Sequence, residues 1–300
     1  MTRPFVPESV DAVVEELARH DYLADVGLAT SIFLAMTLQR PLLLEGEAGV
    51  GKTEVAKVLA RWTGGELVRL QCYEGIDASQ AVYEWDYSRQ LLHLRAVEAS
   101  GGDVREDELY SERFLVQRPL LRALAAHDDV PPVLLIDEVD RADDEFEAFL
   151  LEILSDWAIS VPELGVVRAE VPPIAVLTSN RTRDVHDALK RRCLYHWIPH
   201  PDFDRELAIV KMRAPEVHDV LARQVAAAVE TLRTLELYKP PGVAETIDWA
   251  QALTRLGARD LDQAAVDVTL GTILKYREDQ ERVRAHGVAE LVATAVARSA

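Results

Sequence analysis

A glycine-rich segment between an apolar stretch and a predicted helix constrains this chain more than any other feature. Residues 46–53 read Gly-Glu-Ala-Gly-Val-Gly-Lys-Thr, a full match to the phosphate-binding pattern G-x-x-x-x-G-K-[ST]. The apolar residues 42–44 directly before it predict a strand, and residues 54–62 directly after it predict a helix. Glycines let such a loop point its backbone N–H groups at phosphate oxygens, and the helix N-terminus adds positive charge. The sequence therefore predicts a nucleoside triphosphate site.

The same motif assigns a role to each residue around the loop. The backbone of the loop is expected to surround the phosphates, and the predicted helix begins directly after the loop. The residues expected to bind the nucleotide in this way are Gly46, Glu47, Ala48, Gly49, Val50 and Gly51 of the loop and Glu54 of the helix. Lys52 is expected to reach the β- and γ-phosphates, and the Thr53 hydroxyl is expected to ligate Mg²⁺. The predicted cofactors are ATP and Mg²⁺.

A second apolar stretch, residues 133–138, ends in two carboxylates. Asp137, at the end of the predicted strand, is expected to hold Mg²⁺ directly or through water. Glu138 is expected to polarise a water for attack on the γ-phosphate, a role that a kinase does not need. Asn180 follows the next predicted strand, residues 174–178, and would face the same sheet edge, where its amide can orient that water. The arrangement favours hydrolysis over phosphoryl transfer.

Two arginines, Arg191 and Arg192, end a predicted short helix that precedes the last predicted strand. Cations at a helix C-terminus interact favourably with the helix dipole, which is a purely local role. The alternative is an arginine finger that one of them presents to the nucleotide of a neighbouring subunit. From the residues alone, both interpretations stay open.

Strands alternate with helices up to about residue 200, which predicts an α/β fold with a parallel sheet. Further strands are predicted at residues 67–72 and 194–198, and the alternating aromatics Tyr83, Trp85 and Tyr87 predict a short strand with all three on one face. Beyond this point only helical patterns occur, at residues 204–212, 216–237, 244–256, 260–284 and 288–297. We predict a nucleotide-binding core over residues 1–200 and a small all-helical lid domain over residues 201–300.

Charge and composition limit the possible partners and location. The formal net charge is −18, and residues 1–200 carry 20 Lys and Arg against 35 Asp and Glu. Such a surface repels phosphate backbones, so a nucleic-acid partner is disfavoured. The two cysteines lie far apart in sequence and imply no disulfide framework. No apolar signal core and no membrane-spanning stretch is evident, which predicts a cytoplasmic protein without a transmembrane segment.

In this order, the loop, the paired carboxylates, the asparagine and the arginines resemble the AAA+ ATPases, and specifically the MoxR branch, over roughly residues 10–297. By that resemblance, residues 42–53 are the Walker A segment and residues 133–138 the Walker B segment. Asn180 is then the sensor-1 residue and Arg192 the arginine finger, with Arg191 as the second candidate.

Two segments strengthen the resemblance to this branch. Residues 73–95 lie where the branch carries its helix-2 insert, and residues 157–170 lie where it carries its pre-sensor hairpin, turning near residues 163–165. Four further segments have an amino-acid sequence similar to that of the CoxD type: residues 71–75, 83–87, 188–197 and 245–250. Proteins of that type assist maturation of the molybdenum–copper centre of carbon monoxide dehydrogenase.

The resemblance implies an ATP-hydrolysing chaperone that forms a homo-oligomeric ring, a hexamer, with ATP bound between subunits. The implied partner is a von Willebrand factor A domain protein, and the implied client is a metalloenzyme. Three alternatives are a nucleic-acid-acting AAA+ motor, a kinase with the same phosphate loop, and a scaffold that binds ATP with negligible turnover. The acidic residues 1–200 disfavour the first, the finger disfavours the second, and Glu138 with Arg192 disfavours the third.

The chain departs from the MoxR pattern at two places. Asp140 stands where these proteins usually have Asn. A sensor-2 arginine is expected at the start of a helix in the small domain, but residues 242–246 read Gly-Val-Ala-Glu-Thr. Nucleotide sensing by the small domain is therefore expected to differ in this chain.

Overall fold

Two compact units make up the protein. The computed structural model describes residues 5–103, 105–126, 130–162 and 164–299. The first unit comprises Met1–His20, Ala24–Glu45 and Thr53–Trp197, and the second comprises Asp21–Leu23, Gly46–Lys52 and Ile198–Ala300. The phosphate loop is thus grouped with the C-terminal unit.

Residues 5–197 contain strands interspersed with helices. In chain order they are α1 (Val10–Arg19), α2 (Val26–Leu38), β1 (Leu42–Glu45), α3 (Lys52–Thr63), β2 (Leu67–Gln71), α4 (Ala78–Ala81), β3 (Tyr83–Trp85), α5 (Tyr87–Ala99), α6 (Glu106–Leu109), β4 (Leu115–Gln117), α7 (Pro119–Leu124), β5 (Val133–Asp137), α8 (Asp144–Asp156), β6 (Ala158–Val161), β7 (Gly165–Arg168), β8 (Ile174–Ser179), α9 (Asp187–Arg192) and β9 (Leu194–Trp197). Side-chain caps begin several helices: Asp25 accepts from the backbone N–H of Leu28 at the start of α2, and such caps satisfy N–H groups that the helix leaves unpaired.

Five strands form one parallel sheet in the order β2-β5-β8-β1-β9. Every residue of β1 and β5 is buried, as is typical of strands covered on both faces. The register pairs Gln71 with Asp137, and Glu45 with both Ser179 and Trp197. Because the strands are parallel and nearly in register, their carboxyl ends lie along one edge. The predicted α/β class is confirmed.

Two pairs of antiparallel strands stand outside this sheet, β3 with β4 and β6 with β7, and a short turn joins the second pair into a hairpin. The β6–β7 hairpin lies within the segment predicted to form one, and its predicted turn residue Glu163 is outside the described residues. The predicted strand with three aromatics is wrong at its end, because Tyr87 is the first residue of α5. Asp86 accepts from the backbone N–H of Arg89 and starts that helix, which overrides the alternating pattern.

Beyond Asp202, the described residues of the second unit form helices and no strands, as predicted. The helices are α10 (Phe203–Arg213), α11 (Asp219–Thr234), α12 (Val243–Arg255), α13 (Gln263–Ile273), α14 (Arg277–His286) and α15 (Val288–Ser299). Its separate core includes the fully buried Trp249, whose indole N–H donates to Thr269 Oγ1 over 2.8 Å. Among the described residues, no helix combines the length and apolar character needed to cross a membrane.

The single helix predicted for residues 260–284 is wrong, because α13 and α14 are separate. Leu274 has an extended backbone and is 1% exposed, so it fills the core at the break. The buried Asp279 of α14 accepts backbone N–H groups from Tyr238 and Lys239, at 2.7 and 3.1 Å. These long-range contacts fix the direction of α14, and helical periodicity carries no information about them.

Candidate functional site

The phosphate loop has the backbone that its glycines predict. Gly46, Gly49 and Gly51 all have positive φ, at 156°, 81° and 94°, a region that glycine enters without steric penalty. Lys52 is 6% exposed, and its Nζ donates to the carbonyl oxygens of Gly46 and Glu47, at 2.7 Å each. The lysine thus lies folded over the loop, with its charge held where phosphate oxygens would bind.

The start of α12 lies against the same loop, within the second unit. The backbone N–H of Val243 donates to the carbonyl of Gly49 over 2.9 Å, and Glu245 accepts from the N–H of Gly242 over 3.1 Å. A Cβ at position 242 would come within 2.8 Å of the backbone of Ala48 and Gly49. An arginine therefore cannot stand at Gly242 without moving the helix away from the loop.

The buried carboxylate of Asp137 accepts hydrogen bonds from two threonine hydroxyl groups. Asp137 is 4% exposed, and its Oδ1 accepts from Thr53 Oγ1 at 3.0 Å and from Thr178 Oγ1 at 2.6 Å. Thr178 Oγ1 also accepts from the backbone N–H of Glu138 over 2.9 Å. The two predicted metal ligands, Thr53 and Asp137, are therefore adjacent. Burial and the nearby Asp137 charge raise the pKa of the Cys72 thiol to about 12, so Cys72 is a neutral packing residue at neutral pH.

Glu138 has a left-handed backbone, with φ 56° and ψ 51°, which is unfavourable for a residue with a side chain. This conformation directs its carboxylate away from the strand toward two amides. Asn180 Nδ2 lies 3.4 Å from Glu138 Oε1, and Gln71 Nε2 donates to Oε2 over 3.1 Å. Arg141 Nη1 is 3.3 Å from the same Oε2. The predicted base and the predicted water-orienting amide are thus brought together.

Sequence reasoning missed Arg69 and Gln71 on β2 and Thr178 on β8. The Arg69 guanidinium binds Asp137 Oδ2 through Nε at 3.1 Å and Nη2 at 2.6 Å, and Nη2 also contacts Gln71 Oε1 at 2.5 Å. Their i, i+2 spacing already predicts that Arg69 and Gln71 lie on one face of the strand. The sequence did not show that β2 is the neighbour of β5, and without that information the two side chains could not be assigned to the site.

The two candidate finger residues end α9, as expected, and both are exposed. Among the described residues, no hydrogen bond or ion pair holds either side chain. Their backbone is fixed instead: Arg40 donates to the carbonyl of Arg191 at 2.8 Å and to that of Arg192 at 3.0 and 3.1 Å. Because the last carbonyls of a helix lack partners within it, Arg40 stabilises the end of α9.

A half-buried histidine, His200, follows β9 in the second unit. Burial, and then the charges of Arg233 and Lys52, lower the pKa of His200 to about 4, so the ring is neutral at neutral pH. Among the described residues, neither ring nitrogen has a hydrogen-bond partner. Arg233 itself is paired with the buried Glu206, at 2.7 and 3.2 Å.

The loop by itself fits phosphate, and Thr53 with Asp137 by themselves fit a magnesium ion. The positive-φ glycines leave the loop without side chains where a phosphate would approach. The hydroxyl of Thr53 and the carboxylate of Asp137 supply oxygen ligands, which Mg²⁺ prefers. The Lys52 ammonium supplies the charge that complements phosphate.

Comparison with known proteins gives one family. Residues 41–193 match the AAA domain of the dynein-related subfamily, slightly more than half of the chain. An uncharacterized protein of Staphylococcus saprophyticus subsp. saprophyticus is 22% identical over 207 residues, covering 67% of this chain and 71% of that protein. Among solved structures, two mutants of RuvB from Thermotoga maritima are similar, with 16% and 18% identity and TM-scores of 0.47 and 0.45. Both matches cover 89% of this chain, and 72% and 71% of the RuvB chains.

Proposed function

We propose that this chain binds ATP and hydrolyses it to ADP and phosphate. The chain belongs to the dynein-related subfamily of AAA domains. Proteins of this family generally bind nucleotide and Mg²⁺. The observation that carries the proposal is the convergence of Thr53, Asp137, Glu138 and Asn180 at one edge of the sheet. A site for binding alone would need no carboxylate beyond Asp137.

Binding would be the task of the loop and its lysine. The backbone of Gly46–Lys52 would surround the phosphates, and Lys52 would exchange its two carbonyl partners for the β- and γ-phosphates. Thr53 and Asp137 would hold Mg²⁺, which supplies charge neutralisation on the phosphate oxygens when it is bound. Arg69 must then give up or share its hold on Asp137.

Hydrolysis would use the carboxylate and the amide beyond the metal ligands. Glu138 would take the proton of a water as it attacks the γ-phosphate, and Asn180 would orient that water. Their present 3.4 Å separation leaves the two groups in direct contact. A water therefore has to enter beside them when the nucleotide binds.

A neighbouring copy would complete the site. Arg192, or Arg191 as the second candidate, is exposed at the end of a helix that Arg40 fixes. A guanidinium that has no partner among the residues the structure describes can stabilise negative charge developing on another subunit's nucleotide. This supports a homo-oligomeric ring, and we propose a hexamer.

For the biological role we propose a chaperone of the MoxR type, closest to the CoxD type. It would act with a von Willebrand factor A domain protein on a metalloenzyme client that contains molybdenum. This proposal is supported by the amino-acid sequence of four segments, which is similar to that of the CoxD type: residues 71–75, 83–87, 188–197 and 245–250. The acidic charge of residues 1–200 favours a protein client over nucleic acid.

Replacing Lys52 with alanine tests the site itself. The change removes the charge-assisted contact with the β- and γ-phosphates, so ATP affinity should fall about tenfold or more. Calorimetry on wild type and Lys52→Ala measures this directly. Lys57→Ala is a matched control, because Lys57 lies on the same helix and pairs with Glu54 at the surface. Equal affinity in Lys52→Ala and Lys57→Ala would exclude the loop as the ATP site.

Arg69→Gln should make the protein bind ATP at lower magnesium concentrations. The guanidinium now neutralises Asp137 Oδ2 and competes with a metal ion for it. Because Arg69 is 54% exposed, the effect is modest: the midpoint of a Mg²⁺ titration of ATP-dependent thermal stabilisation should fall by about threefold. Arg122→Gln removes an exposed ion pair with Glu66 and should leave the midpoint unchanged. A midpoint that stays constant or rises in Arg69→Gln would contradict this competition.

A further inference from the structure

Asp140 is a buried carboxylate that the proposed reaction does not use. It lies in the short turn Val139–Arg141 that directly follows Glu138, and it is 1% exposed. Burial of a charge is costly unless hydrogen bonds compensate for it. Three bonds do so here: Oδ1 accepts from the Asn180 N–H at 3.2 Å, and Oδ2 accepts from the Thr182 N–H at 2.8 Å and from Thr182 Oγ1 at 2.7 Å.

All three bonds come from the segment that carries Asn180. This segment turns sharply after β8, because Arg181 has a left-handed backbone with φ 56°. Such a conformation persists only where surrounding contacts fix it. Asp140 binds the residues on both sides of Arg181, and Ser179 Oγ accepts from the Arg181 N–H at 3.0 Å. The turn after Glu138 therefore fixes the turn that presents the Asn180 amide to Glu138.

The chemistry of the side chain explains why aspartate stands at this position. A carboxylate accepts hydrogen bonds on both oxygens, whereas an asparagine has one accepting oxygen and an NH₂ group that only donates. With asparagine at position 140, that NH₂ group would face the N–H of either Asn180 or Thr182. An asparagine at this position would therefore not be equivalent to Asp140 in this chain.

We propose that Asp140 is a positioning residue for the ATP hydrolysis proposed above, on which this inference rests. Through its bonds to Asn180 and Thr182, its carboxylate sets the distance and direction between the Asn180 amide and Glu138. It acts on turnover without contacting the nucleotide. Thr182, whose hydroxyl completes the set of bonds, shares this role.

The test measures ATP affinity and turnover separately. Asp140→Asn should lower kcat by about tenfold or more, as expected when a charged acceptor is lost, and leave ATP affinity within about twofold of wild type. The same change made in Asn180→Ala protein should lower kcat by no more than about twofold further, because the residue through which Asp140 acts is already gone. If Asp140→Asn reduces turnover by the same factor with and without Asn180, the proposal is wrong.

An exposed pair of variants gives an independent test should Asp140→Asn fail to fold. Thr182 is exposed, so both replacements leave the core intact. Thr182→Ser keeps the hydroxyl and should retain wild-type kcat within about twofold, whereas Thr182→Val loses one of the three bonds and should lower kcat by about threefold or more. Equal kcat values in the two variants would overturn the proposal. Failure of the proposed function has a different signature, because wild type itself would then show no turnover.

Discussion

Glu138→Gln is expected to bind ATP as wild type does and to hydrolyse it about 10²-fold more slowly or worse. The carboxylate lies beside the Asn180 amide, where we expect it to accept the proton of the attacking water, and glutamine keeps the shape of the side chain without its basicity. The substitution leaves Lys52, Thr53 and Asp137 unchanged, so the affinity for ATP should be retained. Single-turnover hydrolysis and calorimetry separate the two effects. Glu145→Gln, which makes the same charge change at an exposed position of α8, should hydrolyse ATP at the wild-type rate.

The same variant tests the chaperone role, because it should hold the protein in its ATP-bound state. Client and partner proteins captured from native extract with ATP should remain bound to Glu138→Gln. The same proteins should not be captured by the double variant Lys52→Ala/Glu138→Gln, because it lacks the lysine of the phosphate loop. Turnover of Glu138→Gln within about twofold of wild type would remove Glu138 from the mechanism. Equal capture by the single and double variants would show that binding of those proteins does not depend on ATP.

Local signals predicted the elements on which the site is built. The fully buried β1 and β5 were predicted from short apolar runs bounded by glycine and by carboxylates, and the parallel sheet is confirmed. Parallel strands place their carboxyl ends at one edge, so a pattern within each strand was sufficient to expect Asp137 and Asn180 at the same edge of the sheet. The helical C-terminal region was predictable because strand patterns stop there.

Contacts that depend on strand order were not predictable in the same way. Arg69 and Gln71 lie in a half-buried strand with ordinary alternation, and nothing local says that β5 is the neighbour. Thr178 was predicted only as the last residue of a strand, yet its hydroxyl links Asp137 with the backbone of Glu138. Asp140 was noticed only as a departure from a family pattern. Its three bonds join segments 40 residues apart, and sequence periodicity does not report such contacts.

Arg192→Ala is expected to retain ATP affinity and to lose turnover by about 10³-fold or more, since a finger supplied by another subunit contributes about 10³–10⁵ in rate. The guanidinium is exposed, while Arg40 holds the backbone beneath it, so the change should leave α9 intact. Arg191→Ala is the matched comparison, because it removes the same charge from the adjacent position of the same helix. We expect a smaller loss of turnover there. A larger loss in Arg191→Ala than in Arg192→Ala would exchange their assignments.

Mixing two inactive variants then tests whether the site is shared between subunits. In a mixed ring of Arg192→Ala and Lys52→Ala, some interfaces pair the intact loop of the first variant with the intact finger of the second, so turnover should partly return. A finger that acts within its own chain predicts no recovery at any ratio, because each subunit lacks one essential group. Light scattering with ATP establishes that both variants assemble, and labelled subunits establish that they exchange. If they assemble and exchange, but no mixture exceeds the two parents, then the nucleotide site is not shared between subunits, and Arg192 acts within its own chain.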